Sequence, residues 1–167
     1  MNMNYILDLD LTLFDSHKYL QASLPYQADG TWVTPAIWDI LNASDFLYDD
    51  VLPFLSAVGK ERVHILTAMS PHLGPLAREF QKEKLSRCGI AAYVSGVTFM
   101  EGDKGSYIAS LYEGNATTFV DDKIEHLLAS RASAPEVAII QMVRPGSRTE
   151  ANQEGIPTIA TLRELIG

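Results

Sequence analysis

The stretch Tyr5-Ile6-Leu7-Asp8-Leu9-Asp10-Leu11-Thr12-Leu13-Phe14-Asp15 decides how this chain is read. It opens as an apolar run of strand length and passes straight into two carboxylates at i and i+2, followed by a hydroxyl. Acidic residues form strands poorly and are costly to bury unpaired. Two of them at the end of a buried strand therefore require a compensating cation, a proton or solvent. A divalent metal or a shared proton would supply it.

Outward from this stretch, apolar runs of strand length alternate with helical patterns, which predicts an α/β fold with a doubly wound parallel sheet. The expected strands are 3–9, 62–66, 92–95, 117–121 and 137–142, with a short edge strand at 157–160. The expected helices are 35–43, 49–58, 71–87, 104–113, 123–131 and 161–166. Thr34-Pro35 and Ser70-Pro71 each place a capping hydroxyl before a proline suited to the first helical position. The second would aim a helix N-terminus near Thr67, where an anion could be held. Gly89 reads as a helix C-cap, and Gly155-Ile156-Pro157 as a turn back towards the last strand. Residues 16–48 are too long for a usual strand-to-helix connection and carry Tyr19, Tyr26, Trp32 and Trp38. They read as a small, partly helical insertion.

Composition bounds the function. The 167 residues are 47% hydrophobic and 20% charged, which fits a single domain, 1–167, with a sizeable core. A net charge of -8 without clustered Lys and Arg argues against general nucleic-acid binding. The single Cys88 excludes an intrachain disulfide framework. With no basic leader followed by an apolar stretch, and no run of about 18 apolar residues, no membrane association and a cytoplasmic location are expected.

The opening stretch resembles motif I, DxDx(T/V), of the haloacid dehalogenase-like (HAD) hydrolases. Three further elements follow in that family's order. Thr67 closes the run Val63-His64-Ile65-Leu66-Thr67 as motif II does. Lys104 opens the helical stretch Asp103-Lys104-Gly105-Ser106-Tyr107-Ile108-Ala109 at the place of motif III. Asp121 and Asp122 close Thr117-Thr118-Phe119-Val120-Asp121-Asp122 as the acidic motif IV. The resemblance spans residues 3 to about 142 and implies a Rossmann-like core, with the insertion at 16–48 as a short cap. About 36 residues between Thr67 and Lys104 leave no room for the large cap some members carry there.

The same resemblance implies a magnesium-dependent phosphomonoester hydrolase. Asp8 would be the nucleophile that forms an aspartyl-phosphate, splitting one hard displacement into two easier ones. Magnesium would be held by Asp8, the backbone carbonyl of Asp10 and Asp122, an oxygen-only set that suits a hard ion. Asp121 would bind it directly or through water. Asp10 would be the general acid and base. The dehalogenase branch lacks a carboxylate there, so Asp10 favours phosphate chemistry. Thr67 and the N–H of Ala68 would grip phosphate oxygens, and Lys104 would neutralise Asp8 and the transferring group. Thr12 would order the motif I loop.

Two departures stand out. Leu11 occupies a position where many phosphatases of the family have Gly, and His126 falls where an acid often follows motif IV. Arg144 and Arg148 flank Pro145-Gly146-Ser147 after the fifth strand and read either as a solvated loop or as ligands for an anionic part of the substrate. Trp32 and Trp38 read as packing of the insertion or as a surface for a ring. His17, His64, His72 and His126 share no zinc spacing. A receiver-type signalling domain is disfavoured because Lys104 precedes the acidic pair. A catalytically weak regulatory or phosphate-binding protein, or a phosphotransferase, stays open. The expected partner is a phosphorylated small molecule or nucleotide; the short cap leaves an open site, or one completed by another subunit of a homo-oligomer.

Overall fold

Tyr5 and Leu7 of the first strand enter one hydrophobic core and Ile6 enters another. That is the period-two alternation of a strand buried on both faces. The computed structural model describes residues 3–27, 35–69 and 74–166. Its strands are β1 (Asn4–Leu7), β2 (Val63–Ala68), β3 (Gly96–Met100), β4 (Thr117–Asp121), β5 (Ala138–Met142) and β6 (Thr158–Ile159). They form one parallel sheet in the order β3-β2-β1-β4-β5-β6.

The helices are α1 (Ser16–Ser23), α2 (Val51–Val58), α3 (Leu76–Arg87), α4 (Gly105–Leu111) and α5 (Ile124–Ser133). Phe54 and Leu55 of α2 and Phe80 and Leu85 of α3 fill one core, joined by Tyr19, Trp38 and Phe46 of the insertion. Ile108 of α4 and Leu127 of α5 fill the other. Helices therefore cover both faces, and the fold is the doubly wound parallel sheet expected from the sequence. The chain leaves β1 towards β2 and β3, then crosses back to β4 on the other side of β1. The switch point between β1 and β4 is where such sheets open a crevice at their C-terminal ends.

The predicted strands near β1, β2, β4, β5 and β6 and the helices near α2, α4 and α5 are all present. The strand expected at 92–95 is not. Ile90–Tyr93 is a 3-10 turn after Gly89, whose φ of 81° ends α3, and the strand runs instead over Gly96–Met100. As an edge strand of mixed exposure, it has no continuous apolar run to mark it. Gly96 suits its place, because a β-carbon there would lie 2.9 Å from the His64 ring. The helices expected at 35–43 and 161–166 are single 3-10 turns, Pro35–Asp39 and Leu162–Leu165, the latter closed by a capping box of Thr161 and Glu164. The helix expected from 71 is described from Leu76, after Pro75. Thr34, Trp32, Ser70-Pro71 and His72 lie outside the described residues, as does the anion site expected at a helix start there. Among the described residues no helix is long and apolar enough to cross a membrane.

Candidate active site

The register of the two central strands brings the acidic motifs together. Leu7 pairs with Val120, and the Asp8 N–H donates to the Val120 carbonyl at 2.9 Å, so Asp8 and Asp121-Asp122 leave adjacent strands side by side. Beyond Asp8 the chain turns tightly: the N–H groups of Leu13 and Phe14 both donate to the Leu9 carbonyl at 2.9 Å. The turn holds Leu11 at φ 62°, the one positive φ of a non-glycine residue among those described. This is why glycine suits the position.

Lys104 precedes α4 and is fully buried. Its Nζ donates to the carboxylates of Asp8 and of Asp121, the latter at 2.7 Å. Its reach depends on Gly105. A β-carbon there would lie 2.6 Å from the Ala129 carbonyl oxygen, so only glycine lets α4 start this close to α5.

The four buried groups have unequal protonation. Burial draws the pKa of Lys104 down, but Asp8 and Asp121 outweigh it and hold the ammonium up to about 12. For Asp8 burial dominates; with the neighbouring charges of Asp121 and Asp10 it lifts the carboxyl to about 6 despite Lys104. Asp122 is pushed further, to about 8, by burial and then by Asp8 and Asp121. Asp121 goes the other way. Burial opposes it, yet Lys104 and a hydrogen bond from His126 hold it down to about 2.

Crowded carboxylates of this kind are stabilised by a cation. Asp8, Asp121 and Asp122 each offer a carboxylate oxygen, all within 4.8 Å of one another. Asp121 is already engaged: Oδ1 accepts the Lys123 N–H at 2.8 Å, and Oδ2 accepts from Lys104 and lies 3.1 Å from His126 Nδ1. Asp121 thus caps the turn into α5 and also anchors the lysine. Asp122 is freer, with Thr149 Oγ1 donating to Oδ2 at 3.3 Å. The donors are oxygens only and fit a hard divalent ion such as magnesium.

Asp10 is held by a different set. Ser16 Oγ and Lys84 Nζ donate to Oδ1, the lysine at 2.6 Å, and Gln81 Nε2 donates to Oδ2 at 2.8 Å. Burial raises its pKa, but the Lys84 charge and the three hydrogen bonds outweigh that and keep the carboxyl below its ordinary range. Gln81 Nε2 also approaches Thr67 Oγ1 at 3.5 Å. Thr67 is buried near the end of β2, and Ala68, the last residue of that strand, is half-buried.

Gln81, Lys84 and Ser16 were not among the sequence candidates. A signal for the first two was present: Ala77, Phe80, Gln81, Lys84, Leu85 and Cys88 follow i, i+3, i+4, i+7 spacing, and all are buried. A polar residue on such a stripe faces the core and needs a partner.

Arg144 is neither a solvated loop residue nor open to a substrate anion. It is buried, donates to the Thr12 carbonyl through Nε at 3.0 Å and Nη2 at 2.7 Å, pairs with Asp50 at 2.6 Å and lies over the Tyr48 ring. The Thr12 carbonyl thus ties down the motif I loop, while the buried Oγ1 has no partner among the described residues. Arg148 is exposed. Trp38 packs, stacking on Phe80 with ring centres 5.1 Å apart and donating Nε1–H to the Phe80 carbonyl.

No protein-family model matches the chain, and no curated protein matches it significantly in sequence. Similar solved structures exist. A candidate haloacid dehalogenase-like hydrolase of Burkholderia xenovorans is 16% identical, with a TM-score of 0.70 over 99% of this chain and 97% of the other. A candidate HAD-hydrolase of Bacillus subtilis, bound to magnesium, is 12% identical, with a TM-score of 0.66 over 99% and 97%. A HAD-family enzyme of Bacteroides thetaiotaomicron, in complex with magnesium and inorganic phosphate, is 13% identical, with a TM-score of 0.51 over 92% and 98%. Dehalogenases are also among the similar structures. The chain has the haloacid dehalogenase-like fold.

Proposed function

We propose that this protein is a magnesium-dependent phosphomonoester hydrolase acting through an aspartyl-phosphate on Asp8. The observation that carries the reading is the buried cluster at the β1–β4 switch point, in which Lys104 bridges Asp8 and Asp121 beside Asp122, with Asp10 two residues on. Magnesium would be held by Asp8, the Asp10 carbonyl and Asp122, and when bound supplies positive charge that lets an anionic ester approach a carboxylate. Asp121 would add negative charge beside the metal site, directly or through water, while its oxygens also serve Lys104, His126 and Lys123.

In the first step Asp8 attacks phosphorus and the ester oxygen leaves as the alcohol. Lys104 neutralises charge on Asp8 and the transferring oxygens. The Thr67 hydroxyl and Ala68 N–H grip those oxygens. In the second step Asp10 takes a proton from water, which attacks the acyl-phosphate and releases inorganic phosphate. Asp10 rests ionised, the form that accepts that proton. Its first-step role, protonating the leaving oxygen, is favoured when the incoming phosphate's negative charge raises its pKa. Dehalogenation is the weaker reading, because Asp10 has no use in displacing a halide. The insertion at 16–48 serves as a small cap, and the substrate is a small phosphorylated metabolite or nucleotide.

A panel of phosphate esters and 2-haloacids, assayed with magnesium, tests this. Ester hydrolysis that disappears on chelation, returns with magnesium and is abolished in Asp8→Asn is the expected result. Halide release without phosphatase activity would overturn it.

A further inference from the structure

Lys84 stands outside the four motifs and is 2% exposed. Its ammonium is walled by the rings of Phe14, 4.7 Å from the ring centre, and Phe80, 5.5 Å away. On its open side is Asp10 Oδ1 at 2.6 Å, its one ion-pair partner among the described residues. The ammonium is desolvated while the Asp10 side chain stays 35% exposed, so the cost of burying the lysine offsets much of its attraction to a carboxylate that water still screens, and the pair is a poor device for stability. One helical turn earlier, Gln81 Nε2 holds the other Asp10 oxygen and reaches towards Thr67. Its own Oε1 is buried with no partner among the described residues. Both side chains are thus turned to the carboxylate, and both are buried in doing so.

We infer that Lys84 and Gln81 are positioning residues for the reaction: helix α3 grips the Asp10 carboxylate from both oxygens and holds it where it exchanges protons with the leaving group and with water. Loops place such groups less well than helices do, and Asp10 lies on a loop. The aromatic packing of Tyr19 and Trp38 on Phe80 seats the insertion on this same helix, so the gripping face is fixed from behind. Lys84 has an electrostatic part too. Asp8, Asp10, Asp121 and Asp122 stand against the ammoniums of Lys104 and Lys84, which leaves two negative charges when all four acids are ionised, the charge one divalent cation cancels. Without Lys84 an excess negative charge would face an anionic substrate.

The inference rests on the phosphatase reading, and the test separates the two. Turnover of p-nitrophenyl phosphate and phenyl phosphate with magnesium is compared in the wild type, Asp10→Asn, Lys84→Met, Gln81→Leu and the double variant Asp10→Asn/Lys84→Met. Lys84→Met is expected to lower kcat by about 10²-fold or more, as loss of acid–base catalysis does, with the same preference between the two leaving groups that Asp10→Asn shows. In the Asp10→Asn background the Lys84 change is expected to add less than about threefold, because residues acting through one group are not additive. Gln81→Leu keeps the charge and removes an orphaned oxygen. It is expected to fold whether or not Lys84→Met does, and to give the same signature more weakly. Loss that multiplies in the double variant, or that ignores the leaving group, overturns the positioning role. Absence of turnover in the wild type overturns the phosphatase reading itself, and this role with it.

Discussion

Leu11 and Asp122 carry the strain of the site. A left-handed conformation costs an ordinary residue on the order of 1 kcal/mol, and Leu11 at φ 62° bears it to turn the chain directly after Asp10. Asp122 bears an electrostatic cost, since a carboxyl held up to about 8 in the fold has an ordinary value of 3.8. The native state then binds a proton that the unfolded chain has already released. Stability of the metal-free protein is therefore expected to fall as pH rises from about 4 to about 8. Urea unfolding at pH 5 and pH 8 in chelator measures it. Magnesium should restore stability at pH 8, and Asp122→Asn should remove this part of the slope. A slope unchanged by Asp122→Asn would refute the assignment.

At this scale much of the site was legible. Asp8, Asp121 and Asp122 sit at strand ends, Lys104 at a helix start and Asp10 in the loop just after β1, and they follow one another in a known order. Asp121's double duty was not, because carboxylate partners depend on which helix starts lie within reach. Lys84 and Gln81 were obscured by their neighbours: Glu79, Lys82, Glu83 and Arg87 make α3 read as a solvated helix. Arg144 was misread because its partners Thr12 and Asp50 are distant in sequence and only the sheet order unites them.

Among the elements, α4 and α5 meet where Gly105 faces the Ala129 carbonyl at a distance no β-carbon tolerates. Gly105→Ala must push α4 outward, and Lys104 with it. Overpacking of this kind costs about 1–3 kcal/mol. Thermal unfolding should show that loss, together with a fall in kcat exceeding that of a control substitution on the exposed face of α4. An unchanged melting temperature would mean that the helices separate freely. Element type was read well where apolar runs are continuous, as in β1, β2 and β4, which are buried on both faces. It failed at β3, which begins at Gly96, and at the 3-10 turns, whose short apolar groups resemble the ends of longer helices.

For the molecule as a whole, the sheet order β3-β2-β1-β4-β5-β6 does what no single motif does: it sets the ends of β1, β2 and β4 next to one another. The parallel sheet was legible from the alternation of runs; the order of its strands was not, since periodicity carries no information about neighbours. Arg144 closes the assembly. It joins Thr12 in the loop after β1, Asp50 before α2 and the Ala160 carbonyl after β6. Arg144→Met leaves Asp50 buried without its cation and is expected to cost about 3–5 kcal/mol. Denaturant titration of the variant beside Asp50→Asn/Arg144→Met measures this, and the double variant should recover part of the loss.

The central claim is that Asp8 becomes phosphorylated. If Asp10 activates the hydrolytic water, Asp10→Asn slows breakdown of the phospho-enzyme, while an activated aryl phosphate needs little acid assistance to form it. Asp10→Asn mixed with p-nitrophenyl phosphate and magnesium, quenched in acid and weighed by mass spectrometry, should carry one phosphoryl group, mapped to Asp8 by peptide analysis and absent in Asp8→Asn. Turnover of the ester with no phosphoryl group on Asp8, or with the group on another residue, would contradict it.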